Sequence, residues 1–226
     1  MIKKIYRYIL STKSINKSTF WIQRDNQIEL EKELNEIPSE TSLNERLYLY
    51  WLARNIAIKG KFLEIGPFLG GTTRALAKGL FENIFIKDKE IITIDRFEGY
   101  YTAKKLREMK APVKRNLKNE DKIDFYTIFD YFLNTKPYKR LVKPLKISIP
   151  DSKEYSFPKN DIKKNYYSVV LIDGCKSWYS LKSLFLEIIN NLKTSGYIIF
   201  QDYGRFTCFW IPIFCKQLED FLIYEG

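Results

Sequence analysis

Between residues 62 and 80 the chain reads FLEIGPFLGGTTRALAKGL: an apolar run, a turn holding Gly66, Gly70 and Gly71, then a stretch of good helix formers. A glycine-rich turn that carries a strand into a helix lets a ligand approach the unpaired N–H groups of the helix N-terminus. Such a unit belongs to layered α/β folds and sets the expectation for everything around it. Its details also narrow what the loop would hold. A dinucleotide fingerprint requires glycine at position 68, where it makes room for a pyrophosphate, and this chain has Phe68. No GK[ST] ending follows, so a phosphate-cradling P-loop is excluded at the level of the motif.

From Lys61 onward, short β-rich runs alternate with helical stretches: KFLEI (61–65), IITI (91–94), a weaker LKISI (145–149), SVVLI (168–172) and YIIF (197–200). Continuous apolar strands imply burial on both faces, hence a Rossmann-like, doubly wound α/β sheet, mostly parallel, with helices on each side. Helices are expected over 72–80, near 122–134 and over 177–193, where Leu181, Leu184, Phe185, Ile188, Ile189 and Leu192 recur at spacings of three and four. The Ser195-Gly196 pair should end the last of these and turn the chain into the next strand. Residues 1–60 read as an N-terminal helical extension, with a capping box from Ser42 to Glu45, ahead of a main domain over 61–226. After YIIF, the helix-like FTCFWIPIFCKQLEDF leaves LIYEG as one short strand. The C-terminal strand pair therefore reads as incomplete and the fifth strand as an open edge. Truncation, pairing of that edge in a homo-oligomer, and loss of catalysis are three ways to read it.

Composition excludes several chemistries. The chain has no histidine, which removes Ser-His-Asp and Cys-His nucleophile systems and every His-containing zinc site. Acid–base work falls to Asp, Glu, Lys, Tyr or Cys. The net charge of +11 is dispersed, with no RNA- or DNA-reading motif beside it, so no specific nucleic-acid partner is expected. No apolar run has membrane-spanning length, and MIKKIYRYIL lacks the continuous apolar centre of a secretory signal. Three cysteines without a CxxC pair fit a reducing compartment, and a cytoplasmic location is expected.

Candidate site residues sit at the ends of the apolar runs. Asp95 ends IITI, where a carboxylate can accept both hydroxyls of a ribose or simply cap the following turn. SVVLIDGCKSW places Asp173 at a strand tip with Lys176 three residues on, and GYIIFQDY places Asp202 at the tip of the next strand. Ligands of open α/β sheets gather outside such strand ends, so Asp173, Lys176 and Asp202 are expected to converge. A Lys176–Asp173 ion pair that only orders the turn is the structural alternative. Trp178, Tyr179, Tyr203 and Trp210 lie near the expected mouth, but core packing is the commoner role for any one aromatic in so aromatic a chain. Asp151 and Ser152 follow the weak third run, and Cys175 reads as a packing residue.

In the order of its motifs, the chain resembles the class I S-adenosylmethionine-dependent methyltransferases. ERLYLYWLARN, FLGGTTRALAKGL, IDRFEG, DGCKSW and QDY look like a bacterial branch of that superfamily, over about residues 44–215. The resemblance implies S-adenosylmethionine as cofactor, held by Glu64, Gly66, Phe68, Gly70, Gly71, Thr72 and Asp95, with Glu64 suited to its cationic end. The Asp173–Lys176 spacing also looks like catechol O-methyltransferase, which would make Lys176 or Asp173 the catalytic base and Asp173 and Asp202 ligands of a magnesium ion (Mg2+). Tyr203 departs from that enzyme's Asn ligand. Macrocin-type sugar O-methyltransferases resemble the chain in IDRFEG but carry an acidic pair where it has Gln201-Asp202. A lysine base must be neutral near pH 7, whereas free lysine titrates at about 10.4; a neighbouring sulfonium, metal ion or burial would have to supply about 4 kcal/mol. The implied activity is O-methylation of a small hydroxylated acceptor, a sugar or natural-product precursor. The rivals are a non-catalytic module of the same fold and an RNA methyltransferase.

Overall fold

The computed structural model describes residues 6–10, 24–153, 165–203, 205–218, 220 and 222–224. Seven strands form one sheet: β1 (Tyr6–Leu10), β2 (Lys61–Ile65), β3 (Ile91–Asp95), β4 (Val142–Lys146), β5 (Tyr167–Ile172), β6 (Leu192–Phe200) and β7 (Leu222–Tyr224). Their order is β4-β3-β2-β5-β6-β1-β7, and every pairing is parallel. The helices are α1 (Arg24–Asn35), α2 (Leu43–Asn55), α3 (Gly71–Glu82), α4 (Ala103–Glu108), α5 (Tyr126–Asn134), α6 (Trp178–Ile188) and α7 (Trp210–Gln217). This is the expected doubly wound α/β architecture. Among the described residues no helix is long and apolar enough to cross a membrane.

Burial explains why the central strands read as unbroken apolar runs. All six residues of β5 are buried, because α1, α2 and α3 cover one face of the sheet while α6 and α7 cover the other. On the first face Leu49, Tyr50, Leu76 and Leu80 meet Phe62, Val169 and Ile199. On the second, the expected stripe of α6 packs Leu181, Leu184 and Ile188 with Leu63, Val170, Ile198 and Phe214. Each such side chain contributes about 1.5–3 kcal/mol of apolar burial. The capping box starts α2 as read: Ser42 Oγ accepts from the Glu45 N–H at 3.3 Å, and Glu45 Oε2 accepts from the Ser42 N–H at 2.8 Å.

Four expectations need correction. Within residues 1–60, read as a helical extension, Tyr6–Leu10 is a strand, inserted between β6 and β7. The edge of β6 that was expected to stand open is therefore covered from within the chain and needs no second copy, and the short C-terminal strand β7 pairs with β1. The third strand of the core lies at Val142–Lys146, earlier than LKISI suggested, and it tolerates Pro144 because it is an edge strand. Finally, α6 stops at Ile188, and Ser195-Gly196 lies inside β6. There Ser195 has φ +64°, and the register with β5 jumps from Tyr167↔Leu192 to Val169↔Tyr197, a bulge instead of a helix end.

Candidate functional site

The strand order reverses between β2 and β5, and a crevice opens outside the carboxyl ends of strands at such a switch point. Here it is a cavity of about 360 Å³, within the range of small-molecule sites. Its floor is a seam between two strand ends. Asp173 and Gly174 both donate their N–H to the Ile65 carbonyl, at 2.9 and 2.8 Å. Gly66 adopts φ +86°, and a Cβ there would stand 2.7 Å from the Gly174 nitrogen, so only glycine fits. Three cavity-lining residues other than glycine, Phe68, Cys175 and Asp202, also have positive φ, each at a cost of order 1–3 kcal/mol that the packing around them must hold.

Of the residues expected to hold the cofactor, Gly66, Phe68, Thr72 and Asp95 line the cavity. Phe68 lies against Tyr101, with ring centroids 4.3 Å apart, and forms one wall. Asp95 Oδ1 accepts from the Phe97 N–H at 2.8 Å; burial pushes its carboxyl above the usual range, against the pull of the backbone N–H groups of Phe97 and Phe68. It therefore both orders its turn and faces the cavity. Glu64 is placed differently from its expected contact. It is fully buried beneath the loop, accepting from Thr72 Oγ1 at 2.5 Å and Thr73 Oγ1 at 2.7 Å. Burial raises its carboxyl to about 7, and the two hydroxyls only partly offset this. Gly70 packs on the ring of Phe129, and Gly71 on Ser39.

Across the cavity, Asp173, Lys176 and Asp202 converge as expected. Lys176 Nζ lies 2.9 Å from Asp173 Oδ1 and also pairs with Asp202 Oδ2, while Arg205 reaches Asp202 Oδ1 at 3.3 Å. Burial pulls the Lys176 ammonium down, but the two carboxylates together outweigh it, and its pKa is raised. The lysine is thus held as a cation. Asp202 is lowered: burial alone would raise it, and Lys176 and Arg205 reverse the sign. Asp173 is raised to about 6, because deep burial outweighs the attraction of Lys176.

These donors do not suit a magnesium ion. A hard divalent cation takes several oxygen ligands, yet Asp173 and Asp202 are already spanned by an ammonium group. Among the described residues no group of three or more His, Cys, Asp or Glu side chains could hold a metal.

Several lining residues carry no local signal in the sequence. Ser39, Glu40 and Thr41, in the link between α1 and α2, form part of the wall, as do Tyr100 and Tyr101 after β3. They arrive through packing: a Cβ on Gly71 would stand 2.7 Å from Ser39 Oγ, so the link lies directly on the start of α3. Gln201 and Arg205 also line the cavity; Gln201 opens the QDY motif and Arg205 follows it by two residues, a local signal that flags both. Of the aromatics expected near the mouth, Trp178, Tyr203 and Trp210 pack against the core. Asp151 and the buried Cys175 do reach the cavity.

No family model matches the chain, and no curated protein matches it. Solved structures similar to it include the Podospora anserina methyltransferase PaMTH1 bound to SAH, at 14% identity over 83% of this chain and 74% of that one, with a TM-score of 0.44. CalS11, a calicheamicin methyltransferase, matches at 11% identity over 85% of this chain and 84% of its own, with a TM-score of 0.44. A Staphylococcus aureus protein proposed to be a caffeoyl-CoA O-methyltransferase matches at 16% identity over 80% and 67%, with a TM-score of 0.41. These likenesses concern the course of the chain alone.

Proposed function

We propose that this chain is an S-adenosylmethionine-dependent methyltransferase that transfers a methyl group to a hydroxyl of a small acceptor, a sugar or natural-product precursor. The observation that carries the reading is one cavity at the switch point with two unlike ends. At one end Asp95 stands at a strand tip beside a glycine turn that Phe68 closes to a pyrophosphate; at the other stand Asp173, Lys176 and Asp202. Asp95 suits the ribose hydroxyls, and the backbone at Gly66 and Phe68 suits the amino-acid end of the cofactor. Glu64 acts from beneath, fixing Thr72 and Thr73 at the start of α3. The three buried free cysteines agree with a cytoplasmic setting.

When bound, S-adenosylmethionine supplies a methyl group made electrophilic by its sulfonium. The chain's own residues orient the acceptor oxygen for in-line attack and receive its proton. Because Lys176 is held as an ammonium, Asp173 is the better proton acceptor of the pair. Its carboxyl, raised to about 6, is ionised at neutral pH yet more basic than an exposed aspartate. Lys176 then steadies the negative charge that develops on the acceptor oxygen.

Titration calorimetry tests the cofactor. The protein should bind both S-adenosylmethionine and S-adenosylhomocysteine, and Asp95→Asn should weaken both about tenfold, near 1.4 kcal/mol. Failure of a folded sample to bind either ligand would remove the reading. Binding without methyl transfer to any of a panel of hydroxylated acceptors would favour a non-catalytic module instead.

A further inference from the structure

Five carboxylates line the cavity of this strongly basic chain, and four have identifiable occupations. Asp173 and Asp202 are spanned by Lys176 and Arg205. Asp95 is held by the backbone N–H of Phe97, and Asp151 accepts from Ser180 Oγ at 3.0 Å, on the side of the cavity next to Cys175. Glu40 differs. Its Oε2 accepts a hydrogen bond from the Tyr101 hydroxyl at 2.8 Å, a neutral donor 61 positions along the chain, and among the described residues no lysine or arginine pairs with it.

Its placement is equally specific. The link carrying it is fixed on the first turn of α3 by the Ser39–Gly71 contact, and Tyr101 is fixed by its ring contacts with Phe68 and Phe125. Gln201 Nε2, just beyond β6, donates to Glu45 Oε1 at 3.1 Å and ties the start of α2 to that strand end, and Glu40 lines the cavity together with Asp173, Gln201 and Arg205, so it stands by the β5 and β6 strand ends. That is the end where a methyl group would meet an acceptor oxygen.

We propose that Glu40, held by Tyr101, is the specificity-determining carboxylate that reads the positive charge of the methyl donor's sulfonium. The proposal rests on the cofactor assignment made above. At the reactive end Asp173 and Asp202 are each paired with a cation of the chain and Asp151 is bonded to the Ser180 hydroxyl, whereas Glu40, among the described residues, is spanned by no ammonium or guanidinium and supplies a negative charge that favours a cationic sulfonium over a neutral thioether. S-adenosylmethionine carries that charge and S-adenosylhomocysteine does not; the rest of the two molecules is the same apart from the methyl group. Their affinity ratio therefore isolates the effect, and it also favours release of the spent cofactor after transfer.

The experiment is calorimetric titration of the full chain with each ligand at low ionic strength, for the wild type, Glu40→Gln, Glu40→Asp and Tyr101→Phe. Because Glu40 lies at the partly solvated mouth, a charge effect of about threefold to tenfold is expected. Glu40→Gln should weaken S-adenosylmethionine by that factor and leave S-adenosylhomocysteine unchanged, whereas Glu40→Asp and Tyr101→Phe, which keep the charge, should keep most of the wild-type ratio. Added salt should shrink the wild-type ratio towards that of Glu40→Gln. Equal weakening of both ligands in Glu40→Gln, or an unchanged ratio, would overturn the proposal while leaving the cofactor assignment standing. Absence of binding by the wild type would overturn both, through the cofactor and not through Glu40. Melting curves of the variants, expected to match the wild type for this exposed side chain, show that the ratio is read on folded protein.

Discussion

The two ends of the cavity hold their carboxylates by opposite means. Around the glycine loop, Glu64 and Asp95 are satisfied by neutral donors, two threonine hydroxyls and backbone N–H groups, and burial drives both carboxyls upward. At the ends of β5 and β6 the chain brings in its own cations, Lys176 and Arg205, and Asp202 falls below its ordinary value. Of Glu64 and Asp95, only Asp95 lines the cavity and stands where a cationic ligand would be felt, while Glu64, sealed beneath the loop, meets its charge by holding a proton more tightly. A carboxylate already paired with lysine has less to offer such a ligand and more to offer as a fixed, oriented group. On the function proposed above, the difference separates a binding end from a reacting end within one cavity.

The largest expected effect comes from prising the two ends apart. Gly66→Ala introduces a Cβ at positive φ and 2.7 Å from the Gly174 nitrogen, at the seam that joins them. It should cost about 3 kcal/mol in urea unfolding and abolish cofactor binding. Gly99→Ala is the control: its φ is also positive, but a Cβ there has nothing within 4 Å, and only about 1 kcal/mol should be lost. Equal losses in the two variants would show that the seam carries no special constraint.

Removing the charge buried beneath the glycine loop comes next. The Glu64 carboxyl titrates at about 7 when folded, above its ordinary 4.5. The folded state therefore binds the extra proton, and this contribution to stability is fully present below pH 4.5 and lost as pH rises through about 7. The change is on the order of 3 kcal/mol across that window. Glu64→Gln should flatten that slope in denaturation curves taken between pH 4.5 and 8. A slope as steep as that of the wild type would mean that Glu64 is not the buried acid described. At the reacting end, Lys176→Met should lower turnover about a hundredfold while changing cofactor affinity less than about twofold. It should also move the acidic limb of the pH–rate profile upward, because Asp173 loses the ammonium that lowers its pKa. Unchanged turnover would leave the lysine as a structural tie only.

What could be read from the sequence follows the same division between local and distant causes. Asp95, Asp173 and Asp202 were legible because each ends an apolar run, and a buried strand followed by a carboxylate puts that carboxylate at the sheet's rim whatever the rest of the chain does. The turn around Gly66 was legible for the same local reason. Glu64 was legible as part of the glycine-loop unit, but its sealing beneath Thr72 and Thr73 depends on strand alternation that points it at α3. Ser39, Glu40 and Tyr101 were silent, since they reach the cavity only through the packing of the α1–α2 link on α3 and of aromatic rings on one another. Pro144 disguised β4, and the charged surroundings of YRYIL disguised β1, whose partner lies almost the whole chain away.

That last separation shapes how the molecule must assemble. Tyr6–Leu10 is synthesised long before Leu192–Phe200, the strand it pairs with, and Leu222–Tyr224 in turn pairs with Tyr6–Leu10. Completion of the sheet therefore depends on closing a loop of nearly full chain length, a high-contact-order event that is intrinsically slow. Until it closes, β6 presents an apolar edge to other molecules, and the interval between synthesis and closure is when this protein is most exposed to aggregation.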